Sequence, residues 1–505
     1  MEHNNTINRR EFMGTSAAMA AATIVPRRVL GGPQFVAPSD KMNVAYIGTG
    51  TQGIRTMFGY LERQDIQIVA VCDCNKDSQD YPEWYKHELR SKIRRFLDEP
   101  TWGEGNTGCR AGREVGREIV ETYYAKQAGT SDWNGLGVYE DFRELLAQHK
   151  DVDGVAIMTP EHTHATIAYH AMKQGKHTIM HKPLSNVLSE VRLVANTAEK
   201  AGVATHMYCA AGNQSTATIK EWIQAGAIGQ VREVHNWSTR PFWPQGMTDY
   251  PQETPPIPDG FNWDLWLGPA EHRAYNPAYT HAVFRGWYDF GTGPMGDMGH
   301  YSGFQIWNIL ELDTPTHVQA SRSEYWEIAD GHWEKQVNTL SYPRAGMVHW
   351  EFPARGDKAP VTLNWYDGGL RPPKPPELVQ DGQEMPDEGL LFVGDSGKIL
   401  ADFSGGNPRL IPENAMQAFD PPPQTLPRPD DELTQWIRAC RGERPADARF
   451  QVIQPITETI LLGTIALRVP QRLEWDKDNM TFVNSEEANA LLHRAYRNGW
   501  ELPVA

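Results

Sequence analysis

Cysteine is scarce. Only five occur in 505 residues: Cys72, Cys74, Cys109, Cys209 and Cys440. They make no disulfide framework, and no CxxC pair marks a structural zinc site. Cys72-x-Cys74 closes an apolar run and reads either as a functional pair or as two small strand-end residues. Basic excess is missing as well. The formal net charge is -16, which argues against a nucleic-acid partner, because phosphate backbones need a basic face. A local basic pocket stays compatible with it. No apolar run is long enough to cross a bilayer, so no stable membrane span is expected. The histidines lack HExxH-like spacing, so no metal ligands are assigned. What remains is 40% hydrophobic and 22% charged, the balance of a globular chain with length for two or three domains.

The start of the chain stands apart. Asn8-Arg9-Arg10-Glu11-Phe12-Met13 precedes a small, mostly apolar run from Ala17 to Val25. Paired arginines, an aromatic and a weakly hydrophobic stretch resemble a twin-arginine export signal. Residues 1–40 are therefore set aside as signal and linker, and a periplasmic location is expected.

The next stretch has a mononucleotide-fold pattern. Met42–Ile47 reads as a buried strand. The turn Gly48-Thr49-Gly50-Thr51-Gln52-Gly53 follows, then a helical stripe of Ile54, Met57, Phe58 and Leu61. A second strand from Ile66 to Val71 ends at Asp73. Gly48 permits the turn, Gly50 lets backbone approach a pyrophosphate, and Gly53 lets helix and strand pack closely. The helix N-terminus favours the phosphates. Strand, glycine turn, helix, strand and acid in this order predict a dinucleotide site. Asp73 would accept bonds from the adenosine ribose and repel a ribose phosphate, which favours NAD, with NADP as the alternative. Gly48, Thr49, Gly50, Gln52, Gly53 and Asp73 are the first cofactor candidates. A dinucleotide enzyme exported folded would carry its cofactor with it and hold it tightly.

Residues 76 to about 135 interrupt the alternation and read as an inserted helix and loop. Arg90, Lys92, Arg94 and Arg95 read there as a solvated face, with cofactor contact as the other reading. Tyr139–His149 then reads as a helix. Gly154–Met158 reads as a strand running into Thr159-Pro160-Glu161-His162-Thr163-His164. A helix, Gly175-Lys176-His177, a short strand and His181-Lys182-Pro183 follow. Strand ends of a doubly wound sheet gather where ligands bind, so this edge should lie near the nicotinamide.

Past Pro183 come a helix, a strand Val203–Cys209, and Gly212-Asn213-Gln214. Long alternating strands follow from Val231, with others at Val318–Tyr325, Val337–Tyr342, Met347–Phe352 and Val361–Trp365. They predict an open, largely antiparallel sheet. A loop rich in Trp and Pro (Trp243, Trp263, Trp266, Trp287) reads either as sugar-stacking surface or as a mini-core beneath a long loop. The helix Ile453–Val469 is apolar on most sides and reads as core.

The glycine turn, Thr159-Pro160-x-His162-x-His164, Gly175-Lys176-His177 and His181-Lys182-Pro183 together resemble the Gfo/Idh/MocA family of glucose-fructose oxidoreductases and inositol dehydrogenases. The resemblance covers roughly Lys41 to the C-terminus. It implies an α/β Rossmann N-terminal domain over 41–183 and an α+β substrate domain over 184–505 with an open, largely antiparallel sheet. It implies that Lys182 reaches the reacting hydroxyl, with His181 where the family usually has glutamate. Thr159, Pro160, His162, His164, Lys182 and Gln214 join the expected cofactor contacts. Gly291 to His300 resembles the stretch in which an aspartate is followed by a histidine. The family spacing is four residues; here Asp297 and His300 are three apart, and Gly303 stands where the family often has an acid. The resemblance implies His300 as general base and Asp297 as a substrate hydroxyl ligand. A buried ammonium at Lys182 would stabilise the developing alkoxide.

The expected function is hydride transfer at a secondary alcohol or ketone of a sugar, glycoside or cyclitol. The alternative is an NAD-dependent glycoside hydrolase or lyase that oxidises its substrate transiently on a permanently bound cofactor. A small carbohydrate or polyol is the expected substrate, and assembly with like chains is expected.

Overall fold

The structure is a computed structural model that describes residues 40–336 and 338–504. The expected export signal lies outside the described residues. The first half alternates strand and helix: β1 Met42–Ile47, α1 Thr51–Leu61, β2 Ile66–Cys72, β3 Ser78–Tyr81, α2 Glu88–Leu97, β4 Cys109–Ala111, α3 Arg113–Ala128, β5 Gly137–Tyr139 and α4 Phe142–Gln148. It continues through β6 Gly154–Ile157, α5 His164–Lys173, β7 His177–His181, α6 Leu188–Ala201 and β8 Thr205–Tyr208. Six of these strands form one parallel sheet in the order β5-β2-β1-β6-β7-β8. The chain winds one way from β1 and the other way from β6. A crevice opens at that reversal, beyond the strands' C-terminal ends.

Three expectations change here. The parallel sheet runs on through Tyr208, so the nucleotide half extends past 183. The stretch from Tyr139 does not open a helix. Gly137–Tyr139 is the sheet's edge strand, and Asp141 caps α4 by accepting from the Arg143 N–H at 2.8 Å. The insertion is a two-stranded ribbon, β3 with β4, and the helix α2; α3 belongs to the sheet's own alternation. Its basic residues are not a solvated face throughout. Arg90 is buried and donates to the carbonyls of Asn106 and Gly108, and Arg94 Nε donates to Trp102 O at 2.8 Å. They hold the loop between α2 and β4.

The second half carries α7 Ser215–Gln224, β9 Val231–Trp237, α8 Gly293–Leu310, β10 His317–Arg322, β11 Tyr325–Ala329, β12 His332–Gln336, β13 Gly346–Phe352 and β14 Val361–Tyr366. Then come β15 Gly389–Gly394, β16 Lys398–Ala401, β17 Arg409–Ile411, α9 Glu432–Cys440, α10 Phe450–Ala466, β18 Leu473–Asp476 and β19 Thr481–Phe482. Nine strands make a mostly antiparallel sheet, β17-β16-β15-β9-β14-β13-β10-β18-β19, in which β9 and β14 pair parallel. No strand covers 338–342. Asn338 Oδ1 accepts from the Ser341 N–H at 3.0 Å and makes a turn there. The hairpin β11–β12 lies just before it, closed by Asp330-Gly331 with φ of 49° and 80°.

Helices α8 and α10 lie on the sheet's inner face, where Trp350 Nε1 donates to Thr459 O at 3.0 Å. They cross closely because α8 offers glycine. A Cβ on Gly303 would sit 2.9 Å from Ile456 Cγ2, and one on Gly299 3.5 Å from Ile460 Cδ1. That crossing fixes the helix that brings Asp297 to the nucleotide half.

Candidate active site

The glycine turn opens into a cavity of about 580 Å³. Gly48 has φ of +97°, and a Cβ there would fall 2.5 Å from the Met158 carbonyl carbon. A Cβ on Gly53 would lie 2.0 Å from Gly48 O, so the start of α1 can pack on β1 only with glycine. Gly50, Thr51, Gln52 and Gly53 line the cavity. The first turn of α1 carries no acidic residue to compete with a phosphate. Thr49 does not reach the cavity. It is turned inward, and its N–H and hydroxyl donate to Asp73 Oδ2 at 2.7 and 3.3 Å. Asp73 Oδ1 accepts from the Asn75 N–H at 2.8 Å. Asp73 therefore braces the turn while lining the cavity. The carboxylates Glu83, Glu140 and Asp141 share that lining, whereas its only lysine and arginine are Lys182 and Arg285. The backbone cradle fits a dinucleotide pyrophosphate, and the carboxylates around Asp73 outnumber Arg113, which donates to Asp73 O at 3.2 Å, so a ribose phosphate is disfavoured.

Two strand ends, a loop and a helix start build the chemical cluster. Lys182 follows β7 and is 3% exposed; its Nζ lies 2.5 Å from Asp297 Oδ1. Arg285 Nε donates to the same oxygen at 2.9 Å and lies 3.7 Å from Glu161 Oε1. Thr292 donates its hydroxyl to Glu161 Oε2. Glu161 Oε1 has no hydrogen-bond partner. Burial lowers Lys182 from its ordinary value, and Asp297 offsets part of that. Burial raises the Asp297 carboxyl, but Lys182 and Arg285 outweigh it and hold the group well below the usual carboxylate range. For Glu161 burial wins over the same two cations and pushes the carboxyl up to about 7.

Several expected contacts stand behind the wall. His300 is 0% exposed and does not line the cavity. Its Nδ1 lies 2.9 Å from Gly296 O and its Nε2 3.1 Å from the Thr457 hydroxyl. Burial pushes it down to about 3, which leaves a neutral ring that donates to Gly296 and accepts from Thr457. Thr457 on α10 thus supplies the partner that Gly303 cannot. His162 Nε2 donates to Trp266 O at 2.8 Å, and its ring packs between Trp266 and Phe290. His164 bridges Pro183 O and Thr159 O at 2.7 and 2.8 Å. These two histidines tie the loop after β6 to the turn after β7 and to the Trp266 segment, and so are not cavity contacts. Gln214 is exposed at the start of α7 and does not line the cavity. Its segment is drawn away because the N–H groups of Cys209 and Ala211 donate to Glu432 Oε1 at 2.8 and 3.1 Å. Thr159, Pro160, His181 and Lys182 do line it. Among the described residues no His, Cys, Asp and Glu cluster could hold a metal ion.

The aromatic loop resolves into a mini-core of Trp263, Trp266, Tyr279, Trp287 and Phe290. Trp243, Trp266 and Phe284 also line the cavity. Exposed aromatics also stand at its mouth. Trp84 of the insertion and Phe242 of the second half face each other at 6.4 Å. Glu161, Arg285 and Thr292 had no assigned role in the sequence. Glu161 sat inside a strand-end motif that drew attention to its histidines, and Arg285 has no local pattern at all.

Comparison with known proteins agrees with this architecture. The profile described as the oxidoreductase family's NAD-binding Rossmann fold matches residues 112–209. The profile of that family's C-terminal alpha/beta domain matches residues 214–343 and 361–502. A glycosyl hydrolase family 109 protein of Bacteroides fragilis is 26% identical over 252 residues, 46% of this chain and 45% of that protein. One from Stenotrophomonas maltophilia is 27% identical over 169 residues, 34% of this chain and 28% of that protein. The chain thus spans less than half the length of these curated relatives. In fold, it is similar to the WlbA dehydrogenase of Bordetella pertussis, solved with NADH and UDP-GlcNAcA. The TM-score is 0.50 at 14% identity, covering 86% of this chain and 99% of that one. Both family profiles, the reversing parallel sheet and the glycine cradle lead to one assignment: the chain belongs to the Gfo/Idh/MocA oxidoreductase family, with that family's NAD-binding Rossmann domain.

Proposed function

We propose that the protein moves a hydride between NAD and a secondary alcohol or ketone carbon of a sugar, glycoside or cyclitol. The observation that carries this is the buried Lys182–Asp297 pair, 2.5 Å apart, with Lys182 on the cavity that the glycine turn enters. Gly48, Gly50, Gln52 and Gly53 would hold the pyrophosphate, with Asp73, Thr159 and Pro160 along the wall. Bound NAD supplies the hydride acceptor. Lys182, whose ammonium form Asp297 favours against burial, is placed to stabilise the developing alkoxide through a charge-assisted hydrogen bond. Asp297 and Arg285 hold the ammonium in position. His300, engaged by Gly296 and Thr457, locks the turn of α8 that carries Asp297 and acts as a positioning residue. Trp84 and Phe242 offer ring faces for the apolar side of a sugar.

A second reading is redox-neutral glycoside cleavage on a cofactor that stays bound. The matched relatives' name favours it. So does the enclosure of the glycine turn: the Tyr81 ring borders Gly50 and lies tilted against the His281 ring of the second half, with centroids 3.6 Å apart. Export through Arg9-Arg10 and assembly with like chains belong to this proposal on sequence grounds.

The test is to identify the cofactor released from the purified protein and then offer glycosides and cyclitols. Net NADH absorbance supports the dehydrogenase. Sugar release without net NADH supports the second reading. Neither product across the panel would overturn both.

A further inference from the structure

Glu161 lines the cavity wall with one carboxylate oxygen, Oε1, that is itself buried and makes no hydrogen bond, with Arg285 Nε 3.7 Å from it. The residue is 2% exposed, yet it lines the cavity. Thr292 occupies Oε2, while Oε1 has no hydrogen-bond partner. A buried carboxylate oxygen without a hydrogen bond is costly even with a cation nearby, so a working state that gives Oε1 a partner is favoured. The neighbouring groups are already committed. Lys182 and Arg285 share Asp297 Oδ1. Two cations on one carboxylate make Asp297 a weak proton acceptor. The ring nitrogens of His300 and His164 are engaged. His181 also lines the cavity, but burial and then Lys182 oppose its charged form.

We infer that Glu161 is the acid–base residue of this site, with Oε1 taking the substrate hydroxyl proton on oxidation and returning it on reduction. The inference rests on the proposed alkoxide-stabilising role of Lys182. In the oxidation direction the substrate O–H and C–H bonds break and a C=O bond forms. The C–H electron pair leaves as hydride to NAD, and the proton ends on Glu161 before passing to solvent. The groups facing Glu161 agree with such a role. Arg285 and Lys182 favour its carboxylate, and Thr292 bonds to it. Asp297 opposes ionisation, and the buried Tyr342 phenol, raised well above its ordinary value, stays neutral. Burial leads this balance and brings the carboxyl to about 7, where one group both accepts and returns a proton.

The test is Glu161→Gln in the holoenzyme, which keeps the shape and an oxygen for Thr292. Hydride transfer should fall by about 10²–10⁴-fold. The acid limb of its pH profile near 7 should vanish, while NAD affinity stays unchanged. An infrared band of a protonated buried carboxyl should titrate near pH 7 without substrate and be missing from Glu161→Gln. Thr292→Val removes a bond that favours the carboxylate, so the acid limb should move to higher pH. A Glu161→Gln enzyme with the wild-type limb, or an infrared titration unchanged by it, would overturn the inference. Loss of the Lys182 role has a separate signature: Lys182→Ala would then still transfer hydride.

Discussion

Replacing Asp297 by asparagine keeps the side chain's shape and removes one charge from between two buried cations. The carboxylate lies 2.5 Å from Lys182 Nζ and 2.9 Å from Arg285 Nε, with side chains 5%, 2% and 11% exposed respectively. Removing one partner of a buried ion pair costs about 3–5 kcal/mol. Asparagine keeps one oxygen for the cations, so the lower end, about 3 kcal/mol, applies. At about 2–4 °C per kcal/mol for a unit of 150–250 residues, Tm should fall by roughly 6–12 °C near pH 6. The pH dependence follows from the two shifts. Asp297 titrates in the folded protein below its unfolded value of 3.8. Its stabilisation is therefore present above that value and is lost as pH falls through the folded one. Lys182 titrates below its unfolded 10.5, and Asp297 is what raises it against burial. In Asp297→Asn it drops further, so the lysine sheds its proton as pH rises and part of the loss is recovered. Melting of both proteins from pH 5 to 9 should show the largest gap at the acid end and a smaller one at pH 9. Equal melting temperatures throughout would refute the buried-charge reasoning.

Gly53→Ala places a methyl 2.0 Å from Gly48 O. Backbone must move, at about 1–3 kcal/mol, so NAD affinity measured by calorimetric titration should weaken by roughly 5–150-fold. Unchanged affinity would mean that the cradle is not the cofactor site. His300→Asn should lower Tm, because Gly296 and Thr457 lose their shared partner. It should leave the acid limb of the hydride-transfer profile in place, whereas disappearance of that limb would return the base role to His300.

Local chemistry made the nucleotide half legible. The bounds of β1 and the buried stripe of α1 follow from an apolar run, a glycine turn and helical spacing. Where signals were short, they misled. β5 has three residues and abuts α4, so its tyrosine looked like a helix start until Asp141 appeared as the cap. The run through 337–342 looked like a strand because its apolar residues outvoted Asn338, whose side chain makes the turn. The site was legible only where a family pattern reached it. Lys182 and Asp297 are 115 positions apart and meet through tertiary packing. The histidines drew attention because histidine is versatile chemistry, yet His164 and His300 spend both ring nitrogens on backbone carbonyls and Thr457, and His162 spends its Nε2 on Trp266 O. Gly303 looked like a missing acid, and its reason is steric, since Ile456 fills the place of any side chain. Nothing in the sequence alone could pair Glu161 with Arg285 and Thr292, because that pairing exists only once α8 docks on the nucleotide half.

The central claim is that Lys182 works on the substrate beside bound NAD. Its most direct test is a single-turnover measurement on Lys182→Ala carrying its cofactor, mixed with a sugar that the wild-type enzyme oxidises. The account predicts that NAD still binds with near wild-type affinity and that the nicotinamide absorbance does not change on mixing. Reduction of the bound cofactor at the wild-type rate would contradict it.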